Sequence, residues 1–113
     1  MQIEIYVVKT EISKKHGKDF EMANLDLNLE KQAIMNVFGG ITVIPNLSGA
    51  WLDEKLSVCH DDVEIWRVCS SRTGNDSKQE IDFLKRSVLR IKAITEQKSQ
   101  LYTIDPKIDP IFV

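Results

Sequence analysis

Tryptophan and carboxylate alternate twice in this chain, as Trp51 with Asp53 and Glu64 with Trp66. On an extended backbone, residues two apart project from one face, so each pair sets a large ring beside an acid. Such a pair can hold a hydroxyl or a cation, or move a proton, when other titratable groups converge on it. Tyr6 and His60 are the other candidates. With Asp53 and Glu64 they would furnish the groups that a small cofactor-independent isomerase or oxygenase uses. The ordinary use of the first pair is different: a ring packed on a sheet and an aspartate that opens a turn. No spacing assigns a catalytic role to any of them, and no catalytic residue is singled out.

The two histidines, His16 and His60, stand at no distance from Cys, Asp or Glu that fixes a metal, and His60-Asp61-Asp62 beside Cys59 is unspecific. Lys14-Lys15-His16-Gly17-Lys18 reads as a solvated charged loop. Gly39-Gly40 precedes a strand instead of opening a helix, so it is turn chemistry and no phosphate cradle. There is no nucleophile elbow and no zinc-finger spacing. The expectation is no metal and no cofactor.

Composition narrows the class. A chain of 113 residues with 42% hydrophobic and 28% charged residues fits one soluble domain spanning 1–113. A net charge of -2 and a pI near 5.7 give no long-range pull toward nucleic acid or an anionic membrane. Met1-Gln2-Ile3-Glu4-Ile5-Tyr6 alternates like a strand and has no apolar h-region, so it reads as no signal peptide. No apolar run approaches the ~20 residues of a membrane span. Cys59 and Cys69 fall on one extended segment, about 30 Å apart at ~3.3 Å per residue, too far for a disulfide. Free thiols point to a reducing, cytoplasmic setting.

The elements that must position these residues follow from periodicity. Residues 3–9 alternate as a strand, and residues 10–24 read as a loop. A helix is expected over 27–38, ended by Gly39 in the left-handed conformation. After a strand over 41–44, Pro45 cannot donate to a ladder and marks an edge, a bulge or the end of pairing; with Asn46, Ser48 and Gly49 it breaks the strand before 50–52. Residues 53–55 form a turn and 56–60 return, with an irregularity at Asp61-Asp62. Residues 63–70 make the strongest strand. Ser77-Lys78-Gln79-Glu80 has the form of a capping box, and Ile81, Leu84, Val88 and Ile91 space the helix it opens. Residues 101–104 are a last strand closed by Asp105-Pro106, and the apolar tail Ile111-Phe112-Val113 is better docked than solvated. This order implies an α+β, ferredoxin-like βαββαβ domain: a four-stranded antiparallel sheet with two helices on one face and a hairpin extension.

Several segments resemble the domain-of-unknown-function family numbered 3574. Gly40-Ile41-Thr42-Val43-Ile44 is similar to its G-L-T-V strand, and Gly49-Ala50-Trp51-Leu52-Asp53 to its G-x-W-x-D step. Thr95 to Leu101 is similar to its Q-E-x-V-L run, with Lys98 and Gln100 in place of the family's acid and valine. The resemblance implies a small ferredoxin-like domain and carries no activity.

In such a domain one sheet face lies beneath the helices. Glu4, Tyr6, Glu64 and Trp66 are expected on the other, and large rings on a bare face call for a cover. The function expected is therefore a non-catalytic, self-associating module, a homodimer that binds a protein or small molecule through its open sheet. Its interface or ligand residues are Tyr6, Trp51, Asp53, Glu64 and Trp66. The alternative is the small enzyme above, with a pocket between sheet and helices. An RNA-type reading is opposed by Glu4, Glu64 and the net acidity.

Overall fold

The computed structural model describes residues 1–70, 75–104 and 110–113, with side chains from residue 78 onward in the second long helix. In chain order the elements are β1 (Gln2–Val8), α1 (Thr10–Ser13), α2 (Gly17–Phe38), β2 (Thr42–Leu52), β3 (Val58–Cys69), α3 (Asn75–Ile94), β4 (Leu101–Ile104) and β5 (Ile111–Phe112). The strands form one antiparallel sheet in the order β2-β3-β1-β4-β5. It has five strands where four were expected. The fifth is the apolar tail: Ile111 packs against the core, and the backbones of Val113 and Gln100 exchange hydrogen bonds at 2.9 and 3.0 Å.

Register decides which side chains the helices cover. Directly opposed residues of an antiparallel ladder share a face. Ile3 opposes Val68, Ile5 opposes Trp66 and Tyr102, and Val43 opposes Trp66. These residues form one cluster with Ala23, Leu27 and Ile34 of α2 and Leu84, Val88 and Ile91 of α3. Burial of a side chain of this size stabilises by about 1.5–3 kcal/mol, so this cluster is the principal source of cohesion.

Trp66, expected on the open face, is 0% exposed at the centre of that core, with the Lys31 ammonium 5.2 Å above its ring. The expected grouping of Glu4 and Tyr6 with Glu64 and Trp66 fails for a simple reason. Glu4 opposes Arg67 and Tyr6 opposes Ile65, so the register sets Glu64 and Trp66 on the opposite side.

The first long helix begins at Gly17, well inside the expected loop. Its apolar residues lie on both sides: Ala23, Leu27 and Ile34 are buried, while Met22, Leu25 and Leu29 are exposed. Apolar residues spread over both sides of a helix weaken its periodic signal. Its end matches expectation: Gly39 takes φ 87°, and its N–H donates to the Met35 carbonyl at 2.7 Å.

Of the alternatives at Pro45, the structure has the bulge and the edge rather than an end of pairing. The strand runs through a bulge between Ile44 and Leu47, where Asn46 takes a left-handed φ of 60°. As the sheet's edge strand, β2 tolerates a residue without an N–H donor. The expected irregularity at Asp61-Asp62 is absent, since β3 passes through both residues. Beyond Val8, the last residue of β1 in the sheet, β2 and β3 continue as an arm of five further pairs, from Ser48–Asp62 to Leu52–Val58. α3 begins at Asn75, so Ser77 stands inside the helix, and its capping side chain lies outside the described residues, as do the loop at 71–74 and Asp105-Pro106. Glu80 is buried and accepts a hydrogen bond from the Ser70 hydroxyl.

Candidate functional site

Where β1 leaves the sheet, the chain builds a cleft. Lys9 follows β1, and its N–H donates to the Asp62 carbonyl at 2.7 Å. The Thr10 hydroxyl then donates to Asp61 Oδ1 at 2.8 Å and accepts from the Asp62 N–H at 3.0 Å. This clip fixes α1 against β3, so that Ile12 enters the core and Ser13 lines the cleft. The bulge at Asn46 forms the opposite wall. The resulting cavity is about 480 Å³. Its charged groups are Lys9, Asp62 and Glu64; its amides and hydroxyls are Asn24, Asn46, Ser13 and Ser48; Ile12, Phe20, Leu47 and Val63 complete it.

Glu64 is the group with the most defined geometry. It opposes Val7 on the helix-covered face, near the rim of the core, and its side chain is 12% exposed. The Trp66 indole N–H donates to Oε1 at 2.8 Å. Lys9 Nζ stands 3.8 Å from Oε2. A hydrogen bond to a charged acceptor contributes about 1.5–3 kcal/mol, and it offsets part of the cost of taking the carboxylate out of water. The Lys9 pair, at that distance and partly wet, contributes about 1 kcal/mol or less. The indole therefore positions the carboxylate at Oε1, and the Lys9 ammonium is the weaker partner at Oε2.

Of the five residues expected at a site, Glu64 and Trp66 meet, but as acid and buried support. Tyr6 is half-buried on the far sheet face, where its carbonyl accepts from Gln100 Nε2. Trp51 lies on the arm, 52% exposed. Asp53 caps the arm's turn, its Oδ1 accepting from the N–H groups of Lys55 at 2.8 Å and Ser57 at 2.9 Å. His60 is exposed on the arm and His16 precedes α2. Lys9, Phe20, Asn24 and Asn46 were not expected at a site. Phe20 and Asn24 share one side of α2, the Asn24 amide donating to the Phe20 carbonyl at 3.0 Å, and this spacing was hidden once that segment was read as loop.

Among the described residues, no group of three or more His, Cys, Asp and Glu side chains is arranged to hold a metal. Both cysteines are free, and no described helix is long and apolar enough to cross a membrane. A second hollow, about 430 Å³ and shallower, lies between Phe38, Arg67 and Cys69.

No family model matches the chain, and no curated protein does. Among solved structures it is similar to a phage SAM lyase in complex with S-methyl-5′-thioadenosine, with a TM-score of 0.64 over 99% of this chain and 87% of that one. The identity is 8%, so this is a likeness of fold.

Proposed function

We propose that the protein is a small-molecule-binding domain, and that its cleft takes an adenosine carrying a sulfur group, a thioether or a sulfonium. The observation that carries the reading is the Glu64 carboxylate, held at the cleft wall by a buried indole N–H at Oε1, with Oε2 facing Lys9 at 3.8 Å. A sulfonium or a ribose hydroxyl suits that carboxylate. Phe20, 43% exposed, offers a face for an adenine ring, and Asn24 and Asn46 offer the paired donors and acceptors that a base edge needs. The fold likeness to a lyase whose structure holds S-methyl-5′-thioadenosine supports the same ligand class.

That likeness also favours a second, catalytic reading, a lyase acting on S-adenosylmethionine. There an oxygen of the substrate's own carboxylate bonds to the carbon attached to sulfur as that carbon–sulfur bond breaks. The electron pair stays on sulfur, the amino-acid chain leaves as a lactone, and the positive charge facing Glu64 disappears. The order β-α-β-β-α-β with β2-β3-β1-β4 side by side supports a ferredoxin-like scaffold to which β5 is an addition. Free Cys59 and Cys69 support a cytoplasmic setting.

Calorimetric titration of the whole chain with S-adenosylmethionine and with S-methyl-5′-thioadenosine tests the binding reading. Saturable binding of both is expected, tighter for the sulfonium. Titrations that stay flat for both ligands reject it. Chromatography after incubation with S-adenosylmethionine tests the catalytic reading: accumulation of S-methyl-5′-thioadenosine above a protein-free control supports it, and unchanged starting material rejects it.

A further inference from the structure

Among the described residues, three charged side chains line the cleft, and a cation stands between two acids. Asp62 and Glu64 lie two apart on β3, so they share a face, about 7 Å apart at ~3.3 Å per residue. Lys9 comes from the neighbouring strand. Val8 opposes Val63, and one step on the Lys9 N–H donates to the Asp62 carbonyl at 2.7 Å. That sets Lys9 across from Asp62 and diagonal to Glu64. Its ammonium stands 3.8 Å from Glu64 Oε2, beyond hydrogen-bond distance, and has no other ion-pair or hydrogen-bond partner among the described residues. The rest of the lining offers no second cation, only amides, hydroxyls and apolar groups.

Given the adenosine–sulfur ligand proposed above, on which this rests, we infer that Lys9 determines the specificity of the cleft by taking the α-carboxylate of an amino-acid chain on the sulfur. The charge pattern argues for it. Two carboxylates and one ammonium mirror a ligand with two cations and one carboxylate. S-adenosylmethionine carries that set as a sulfonium, an α-ammonium and an α-carboxylate. Glu64, 12% exposed at the rim of the core, suits the sulfonium, the less strongly hydrated cation. Asp62 is exposed and suits the ammonium. Lys9 lies beside both and takes the carboxylate, which shares a carbon with that ammonium. Turning Lys9 from Glu64 toward a ligand costs little, because the pair is loose and the lysine side chain is 36% exposed. S-methyl-5′-thioadenosine has neither amino-acid charge and leaves Lys9 and Asp62 unused. A ligand with a block of negative charge in place of the amino acid would meet two carboxylates and be rejected.

S-adenosylhomocysteine and S-methyl-5′-thioadenosine test this, since they share an adenosine and a neutral thioether and differ in the amino-acid chain. In calorimetric titrations of the full chain, the wild type is expected to bind S-adenosylhomocysteine about 10-fold tighter, the worth of one hydrogen bond between charged groups. Lys9→Met keeps the apolar stem and removes the charge, and it should bring the two dissociation constants together. Lys9→Gln gives the same direction if Lys9→Met does not fold. Lys9→Arg, which keeps a cation, should restore most of the difference. The ratio of the two constants within one variant is the readout, so a general loss of stability does not move it. Equal constants in the wild type, or a difference that survives Lys9→Met, overturn the role of Lys9 and leave the adenosine reading standing. Titrations that stay flat with both ligands remove that reading and the role of Lys9 together.

Discussion

Replacing Trp66 by Phe isolates the contact on which the cleft depends. The ring remains apolar and large enough to fill most of its site, but the N–H that reaches Glu64 Oε1 at 2.8 Å is lost. Two effects add. Losing a hydrogen bond to a carboxylate whose side chain is only 12% exposed costs about 1.5–3 kcal/mol. Shrinking a fully buried indole adds a cavity cost of about 1–2 kcal/mol, below the 3–5 of a change to Ala. Trp66→Phe is therefore expected to destabilise by about 2.5–5 kcal/mol, a large part of the usual total stability. Urea unfolding followed by far-ultraviolet circular dichroism measures it, since the dichroism does not depend on the ring removed. The packing part is separated by a double-mutant cycle with Glu64→Gln. If the indole holds the charged carboxylate, the coupling should be about 1 kcal/mol or more. Additive losses, agreeing within about 0.5 kcal/mol, would show that Trp66 fills space and positions nothing.

The remaining expectations are quickly checked by the same unfolding measurements. Ile34→Ala, at the fully buried meeting of α2 with the sheet, should cost about 2–5 kcal/mol, whereas Met22→Ala, 62% exposed, should change stability by less than about 0.5. Gly39→Ala should cost about 1–2 kcal/mol although nothing lies within 4 Å of the added carbon, because φ is 87° there; Gly40→Ala, with the same open space, should cost less. Burial raises the Tyr102 phenol above its ordinary 10.0, and the hydrogen bond and charge of Glu96 raise the Lys15 ammonium above 10.5. In both cases the folded chain keeps a proton that the unfolded chain has lost. Stability should therefore fall as pH rises from about 10 upward, and Tyr102→Phe should flatten that fall.

Why some of this was legible in the residues, and some not, follows from what each signal depends on. The helix from Asn75 has Leu84, Val88 and Ile91 on one buried stripe, Gly39 has its turn chemistry, and 101–104 has a short alternating run; each is a local pattern. The side of the sheet that Trp66 occupies is not local. Both faces of β3 are rich in apolar residues, with Val63 and Ile65 on one and Trp66 and Val68 on the other. A shift of one residue in register would exchange them, and only pairing with Ile3 and Ile5 settles it. The cleft depends on still longer connections. Lys9 meets Glu64 across the chain, and Phe20 and Asn24 join them only because the helix starts at Gly17. The bulge at Asn46 was half legible: Pro45 signalled an interruption before a strand at 50–52, but not that pairing would already resume at Leu47.

The cleft is tested most directly by the two indole N–H resonances in a proton–nitrogen correlation spectrum of the labelled chain, one from Trp51 and one from Trp66. Trp66 donates to Glu64 and Trp51 stands out on the arm, so the pair contains a reporter and its own control. Addition of S-adenosylmethionine should move the Trp66 resonance along a saturable curve, leave Trp51 in place, and lose its effect in Glu64→Gln. A Trp66 resonance that stays fixed at saturating ligand, or moves equally in Glu64→Gln, would contradict the assignment of Glu64 to the site.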